Sequence, residues 1–280
     1  MGTLAERVAE RAGGKPLLWL DHFAYSGRLL AAGRIPWLDA AAFAAWLRTA
    51  QRLLRPGVAA LPLADFFTVW LDAHPDLAAA MAARTRPGFA LKTLLAAEEP
   101  RALLGEIVRA VRDGHPTLPV ALTIPSPGRW LAWAHDVAGA GTIEPAADDV
   151  EAAAMYAAGW LRTFAGAGVD ALLLEEPPGR GPASAAEVML HQPVINVAHH
   201  YRWDVGIEAL GASFVPGPEQ GIDFCITDVA AGSGLRGIVL GDAFWAGEPP
   251  PPAPGACFYF ARIPADAVPE RVLERLGPLR

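Results

Sequence analysis

Residues 169–178 read Val-Asp-Ala-Leu-Leu-Leu-Glu-Glu-Pro-Pro. Four apolar residues, Ala171 to Leu174, run without a break and end on two carboxylates and two prolines. A run this short and this uniformly apolar suits a strand buried on both faces, as in a parallel sheet. The paired Glu175 and Glu176 at its carboxyl end are what a strand delivers to a site.

The same grammar recurs in both directions along the chain. Strands are predicted at Leu17–Leu20, Val58–Pro62, Pro119–Ile124, Ala171–Leu174, Val194–Ala198, Phe224–Thr227, Gly237–Leu240 and Cys257–Phe260. Segments of helical period lie between them. From Ala102 to Arg112, Leu103, Leu104, Ile107, Val108 and Val111 make one stripe behind Pro100. Val150 to Ala165 repeats the pattern, and a last helix begins near Pro269. Eight strands with intervening helices predict an α/β fold, a single (β/α)8 TIM barrel over residues 1–280. Residues 1–15 read as an N-terminal helix and 246–256 as a stiff proline-rich loop within the barrel. A length of 280 residues would allow two domains, but barrels of this kind run to about 250 residues as one.

Composition narrows the function classes. With 23 Lys and Arg against 30 Asp and Glu the net charge is −7, and no basic run occurs, which argues against nucleic acid or an anionic membrane as partner. Cys225 and Cys257 are too few for a disulfide framework and suit a reducing compartment. No stretch reaches the roughly 18 apolar residues of a membrane span, and the first 15 residues lack the apolar core of a signal peptide. A soluble cytoplasmic protein is expected. No Walker A loop, dinucleotide glycine pattern or Gly-x-Ser-x-Gly elbow is present.

A barrel says where to look, because its active sites form at the carboxyl ends of the strands. On the predicted boundaries a polar residue closes nearly every strand. Asp21 and His22 follow the first; Ser126 and Arg129 the third; Glu175 and Glu176 the fourth; His199, His200, Tyr201 and Arg202 the fifth. Asp228, Asp242 and Arg262 follow the last three. Within each adjacent pair, His199–His200 and Glu175–Glu176, strand alternation admits one side chain to the cavity, and the sequence leaves open which. Arg28, Arg129, Arg202 and Arg262 are candidate carboxylate clamps. Trp19, Trp130, Trp203 and Trp245 lie near strand ends, where they would line an apolar or aromatic cavity.

Three segments resemble a known superfamily. AGAGVDALLLEEPP (165–178) is similar to the strand-four segment of cobalamin-independent methionine synthase. TIPSPGRWLAWA (123–134) resembles a strand-and-helix start which that enzyme shares with uroporphyrinogen decarboxylase. ARIPADAVPERVLERL (261–276) is similar to the last strand and helix of the decarboxylase branch. The resemblance implies the barrel fold and a small-molecule substrate, and a homodimer is compatible with it. In the zinc-using branch a His-x-Cys, an acid and a second Cys hold the metal. Their places here fall on Ala198-His199-His200, on Asp228 and beside Ala261, so both thiolates are gone.

The leading expectation is therefore a lyase of decarboxylase type, without a cofactor, acting on a carboxylated and largely apolar or aromatic molecule. His199 or His200 would move a proton, and Asp228 with Glu176 or Glu175 would stabilise developing positive charge. Asp21, His22, Arg28, Ser126, Arg129, Trp130, Tyr201, Trp203, Asp242 and Trp245 would line the substrate cavity. The alternative is a metal-dependent one-carbon (methyl) transferase or hydrolase with a divalent ion, zinc for example, on His200 and Asp228. A third reading is a non-catalytic barrel that binds its ligand without turnover.

Overall fold

In a computed structural model, residues 3–11, 14–229 and 234–280 are described. They form one eight-stranded parallel sheet rolled into a nearly closed barrel, a single (β/α)8 TIM barrel. The strands are β1 (Leu18–Asp21), β2 (Ala59–Pro62), β3 (Val120–Pro125), β4 (Ala171–Glu175), β5 (Asp204–Glu208), β6 (Phe224–Thr227), β7 (Leu235–Val239) and β8 (Cys257–Arg262). Ladder hydrogen bonds run β2 to β8 in order and then to β1. The seam is bridged where Gly57 N–H donates to the Leu18 carbonyl at 2.6 Å. The N-terminal segment contains the helix Leu4–Ala9; residues 1, 2, 12 and 13 of that expected helix lie outside the described residues.

Seven strands fall on or within two residues of their expected places. The fifth does not. Residues 192–200, including the expected strand Val194–Ala198, are the helix Gln192–His200, and β5 lies beyond it at Asp204–Glu208. Pro193 sits at the helix start, where its missing N–H costs nothing. Val194, Ile195, Val197 and Ala198 are buried while Asn196 faces out, a helical stripe rather than a strand alternation. The β-branched run is the apolar face of a helix.

Strand alternation sorts the side chains into two cores. Leu172 and Leu174, Val205 and Ile207, and Leu122 and Ile124 pack outward against the helices. Trp19, Ala60, Ala121, Leu173, Phe224, Ile226, Phe258 and Phe260 fill the barrel interior with Leu4 and Val8 of the N-terminal helix. The Trp19 ring lies 5.7 Å from Phe224 and 5.9 Å from Phe258. The barrel is a packed core, as this fold requires, and Gly206 makes room for it. A Cβ at Gly206 would stand 2.0 Å from the Phe224 ring.

Candidate active site at the barrel mouth

The period of two that sends Trp19, Leu173, Gly206 and Phe260 inward sends the residues two positions on inward as well. Those residues are Asp21, Glu175, Glu208 and Arg262, and they stand on the carboxyl rim. With Asp65 and Arg129 they line a cleft of about 330 Å³ whose walls include Pro62, Pro125, Pro177 and Pro178. Glu176, just beyond β4, reaches the same cleft.

One ion network spans it. Arg262 Nε donates to Asp21 Oδ2 at 2.7 Å, and its Nη2 donates to both oxygens of Glu208 at 3.3 Å. The Glu208 side chain is only 2% exposed. Burial raises its carboxyl, and the Arg262 charge opposes that rise. Glu175 is pushed up to about 7, first by burial and then by the charges of Asp21 and Glu208, with Arg129 and Arg262 pulling the other way. Glu176 also reaches about 7 through burial, moderated by a hydrogen bond from Ser126 and by Arg129. Asp65 rises to about 6 by partial burial and the charge of Asp21. The mouth thus holds carboxyls that keep a proton near neutral pH beside ones whose charge an arginine balances. Environments that separate acid from base in this way are how one site does both.

Of the expected rim residues, the structure brings together Asp21, Glu175, Glu176, Arg129 and Arg262, with Ser126 behind Glu176. His199, His200, Tyr201 and Trp203 are elsewhere, because they precede β5 and stand at the opposite end of the barrel. His199 is exposed and its Nε2 pairs with Asp223 Oδ2 at 2.8 Å. His200 is exposed, Tyr201 packs on Trp203, and Trp203 is core. Asp228 does follow β6, but it is exposed, lies outside the cleft lining, and accepts from Gly211 N–H at 3.0 Å.

A strand of five residues spans roughly 16 Å, so His200 and Asp228 cannot share one ion. Among the described residues, no group of three His, Cys, Asp or Glu side chains is placed to hold a metal. The ligand pair expected for the metal-dependent alternative is therefore not formed.

The aromatic lining is also absent. Trp130 is fully buried against Phe67 and Trp160, and Trp245 donates to the Arg262 carbonyl at 3.1 Å. His22 is 1% exposed, bonded through Nδ1 to Ser26 at 2.9 Å, and burial lowers it to about 4. Arg28 holds the carbonyls of Ala265 and Ala267 on the segment after β8. Asp242 is exposed at the first turn of the helix Asp242–Ala246. The cleft is walled by proline rings and carboxyls instead of tryptophans.

Glu208 and Asp65 were not foreseen. The signal for Glu208 was the alternation in Val205-Gly206-Ile207-Glu208, too short to compete with the apolar run before it. Asp65 opens the helix Leu63–Ala73 directly after β2, where an acid in the first turn reads as helix-dipole complement. No helix among the described residues is long and apolar enough to cross a membrane. Compared with models of known protein families and with curated proteins, the chain matches none.

Proposed function

We propose that the protein is an enzyme, a lyase of decarboxylase type, working by general acid–base chemistry at the barrel mouth on a small carboxylated molecule with a flat apolar body. One observation carries this reading. Glu175, a carboxyl that keeps its proton near neutral pH, shares a cleft with Arg129, a guanidinium with no salt bridge to any described residue. An acid beside a free anion clamp suits a reaction that adds a proton where a carboxylate departs.

In this reading Arg129 takes the substrate carboxylate and the proline walls flank its ring. Glu175 protonates the ring carbon that bears the carboxylate. The bond to the carboxylate then breaks, its electron pair restores the π system, and CO2 leaves. The balance is RCO2⁻ + H⁺ → RH + CO2, with no oxidant required. Asp21 and Glu208, neutralised only in part by Arg262, stabilise the transient positive charge. Glu176, with Ser126, stands by as a second proton source. Membership of the decarboxylase-like branch, suggested by the segments quoted above, is part of the same proposal.

The test is CO2 release from a panel of electron-rich aromatic carboxylates by the wild type, Glu175→Gln and Arg129→Ala. Release should fall by about 10²–10⁴-fold in Glu175→Gln, the usual contribution of a general acid, and KM should rise in Arg129→Ala. Full activity in Glu175→Gln would overturn the acid assignment. Binding of the panel without release in the wild type would make the protein a non-catalytic binding barrel.

A further inference from the structure

The mouth holds more negative charge than its arginines balance. Asp21, Asp65, Glu175, Glu176 and Glu208 line it, against the guanidiniums of Arg129 and Arg262. Arg262 is already engaged by Asp21 and Glu208. Even with Glu175 and Glu176 protonated, three carboxylates face two guanidiniums, a net charge of −1. A carboxylate entering alone would take a cleft of about 330 Å³ to −2, and like charges held that close repel. A ligand that brings its own cation removes that penalty.

Two side chains mark where each charge would sit. Arg129 lies in the first turn of the helix Pro127–Val137 after β3, and its charge acts on Glu175, Glu176 and Glu208. Asp65 lies in the first turn of the helix Leu63–Ala73 after β2, toward the β1 flank, where Asp21 is the charge that acts on it. Both side chains are solvent-accessible, and neither makes a salt bridge to any described residue, the other included. Opposite charges that share one cleft without closing on each other leave a gap for a molecule carrying the complementary pair.

The geometry points to a zwitterionic substrate with its charges at opposite ends of the flat body: a carboxylate held by Arg129 and an ammonium group held by Asp65. The two anchors stand on different flanks of the cleft, so the charges belong to the two ends of the molecule and not to one carbon. This rests on the mouth being the reaction site, and it makes Asp65 a specificity-determining residue rather than a catalytic one.

The probes are para-(aminomethyl)benzoate and para-toluate, which share the ring and the carboxylate and differ only in the ammonium group. Their affinities are to be measured by titration calorimetry at pH 7 on the wild type, Asp65→Asn, Asp65→Lys and Arg129→Ala. The wild type should prefer the zwitterion by about tenfold, between the worth of an exposed ion pair and that of a charge-assisted hydrogen bond. Asp65→Asn should bring that preference near unity. Asp65→Lys should invert it, a change of sign that misfolding does not produce. A preference that survives in either Asp65 variant, or a wild type without one, overturns the assignment. Loss of both probes in Arg129→Ala, together with no preference in the wild type, would leave the mouth reading standing and remove only the ammonium site. Unchanged binding of both probes in Arg129→Ala, or binding of neither to the wild type, would remove the mouth reading and this inference with it.

Discussion

Asp21 and Arg262 are register partners at the tips of β1 and β8, and the guanidinium closes the pair across the ladder with Nε 2.7 Å from Oδ2. The same guanidinium reaches Glu208 on β5. Arg262 therefore holds three strands of the rim together and keeps a buried carboxylate from standing alone. Arg262→Met should cost about 1–3 kcal/mol, the range for a buried group left without its partner. The loss should be larger at pH 8 than at pH 5, because burial without the arginine favours the protonated form of Glu208 as pH falls. Adding Glu208→Gln should restore part of the stability. Thermal denaturation of the three proteins at both pH values checks this, and equal losses at the two would count against it.

Glu175 links the mouth to pH. Its carboxyl titrates near 4.5 when exposed and at about 7 in the folded protein. Between those values the folded state binds more protons than the unfolded one, so this group's contribution to stability is present below about 4.5 and lost as pH rises through 7. Glu175→Gln should therefore melt higher than the wild type at pH 8, by about 2–4 °C for each kcal/mol relieved. Near pH 4 the two should melt together. A melting difference that does not change with pH would show that Glu175 is not held protonated.

Gly206 is a packing requirement. A Cβ there would meet the Phe224 ring at 2.0 Å, inside the barrel and far from any flexible end. Gly206→Ala should destabilise by about 1–3 kcal/mol through overpacking. Phe224→Leu should soften the penalty when the two are combined. Denaturant midpoints would measure the coupling, and simple additivity would contradict the contact.

His199→Ala and His200→Ala should leave carboxylate binding and CO2 release unchanged, since both residues sit at the far end of the barrel. Stability should move by no more than about 0.5 kcal/mol, as for ordinary surface substitutions. A large loss of activity in either would place the site where the sequence reading first put it.

That misplacement shows what was legible. The run Val194-Ile195-Asn196-Val197-Ala198 has strand composition, and only the stripe around Asn196 with Pro193 before it marks a helix. The true strand, Asp204-Val205-Gly206-Ile207-Glu208, has a glycine at its centre and an acid at each end, so local pattern undersold it. One exchanged strand moved the five residues from His199 to Trp203 to the wrong end of the barrel and hid Glu208. The tryptophans misled for a related reason. Nearness in sequence to a strand end does not say whether a ring turns to the mouth or to the helix layer, and Trp130 turns to the helices.

The sequence by itself determined the barrel, seven of its eight strands, and the carboxylates that close β1 and β4. These follow from short-range rules, the period of apolar residues and the place of polar ones after them. Only the tertiary structure decided which rim residues meet. Asp21, Glu208 and Arg262 lie on three strands, and Glu208 is 187 positions from Asp21 and 54 from Arg262. Their proximity, and the protons it holds on Glu175, come from closure of the sheet, which no local stretch of sequence encodes.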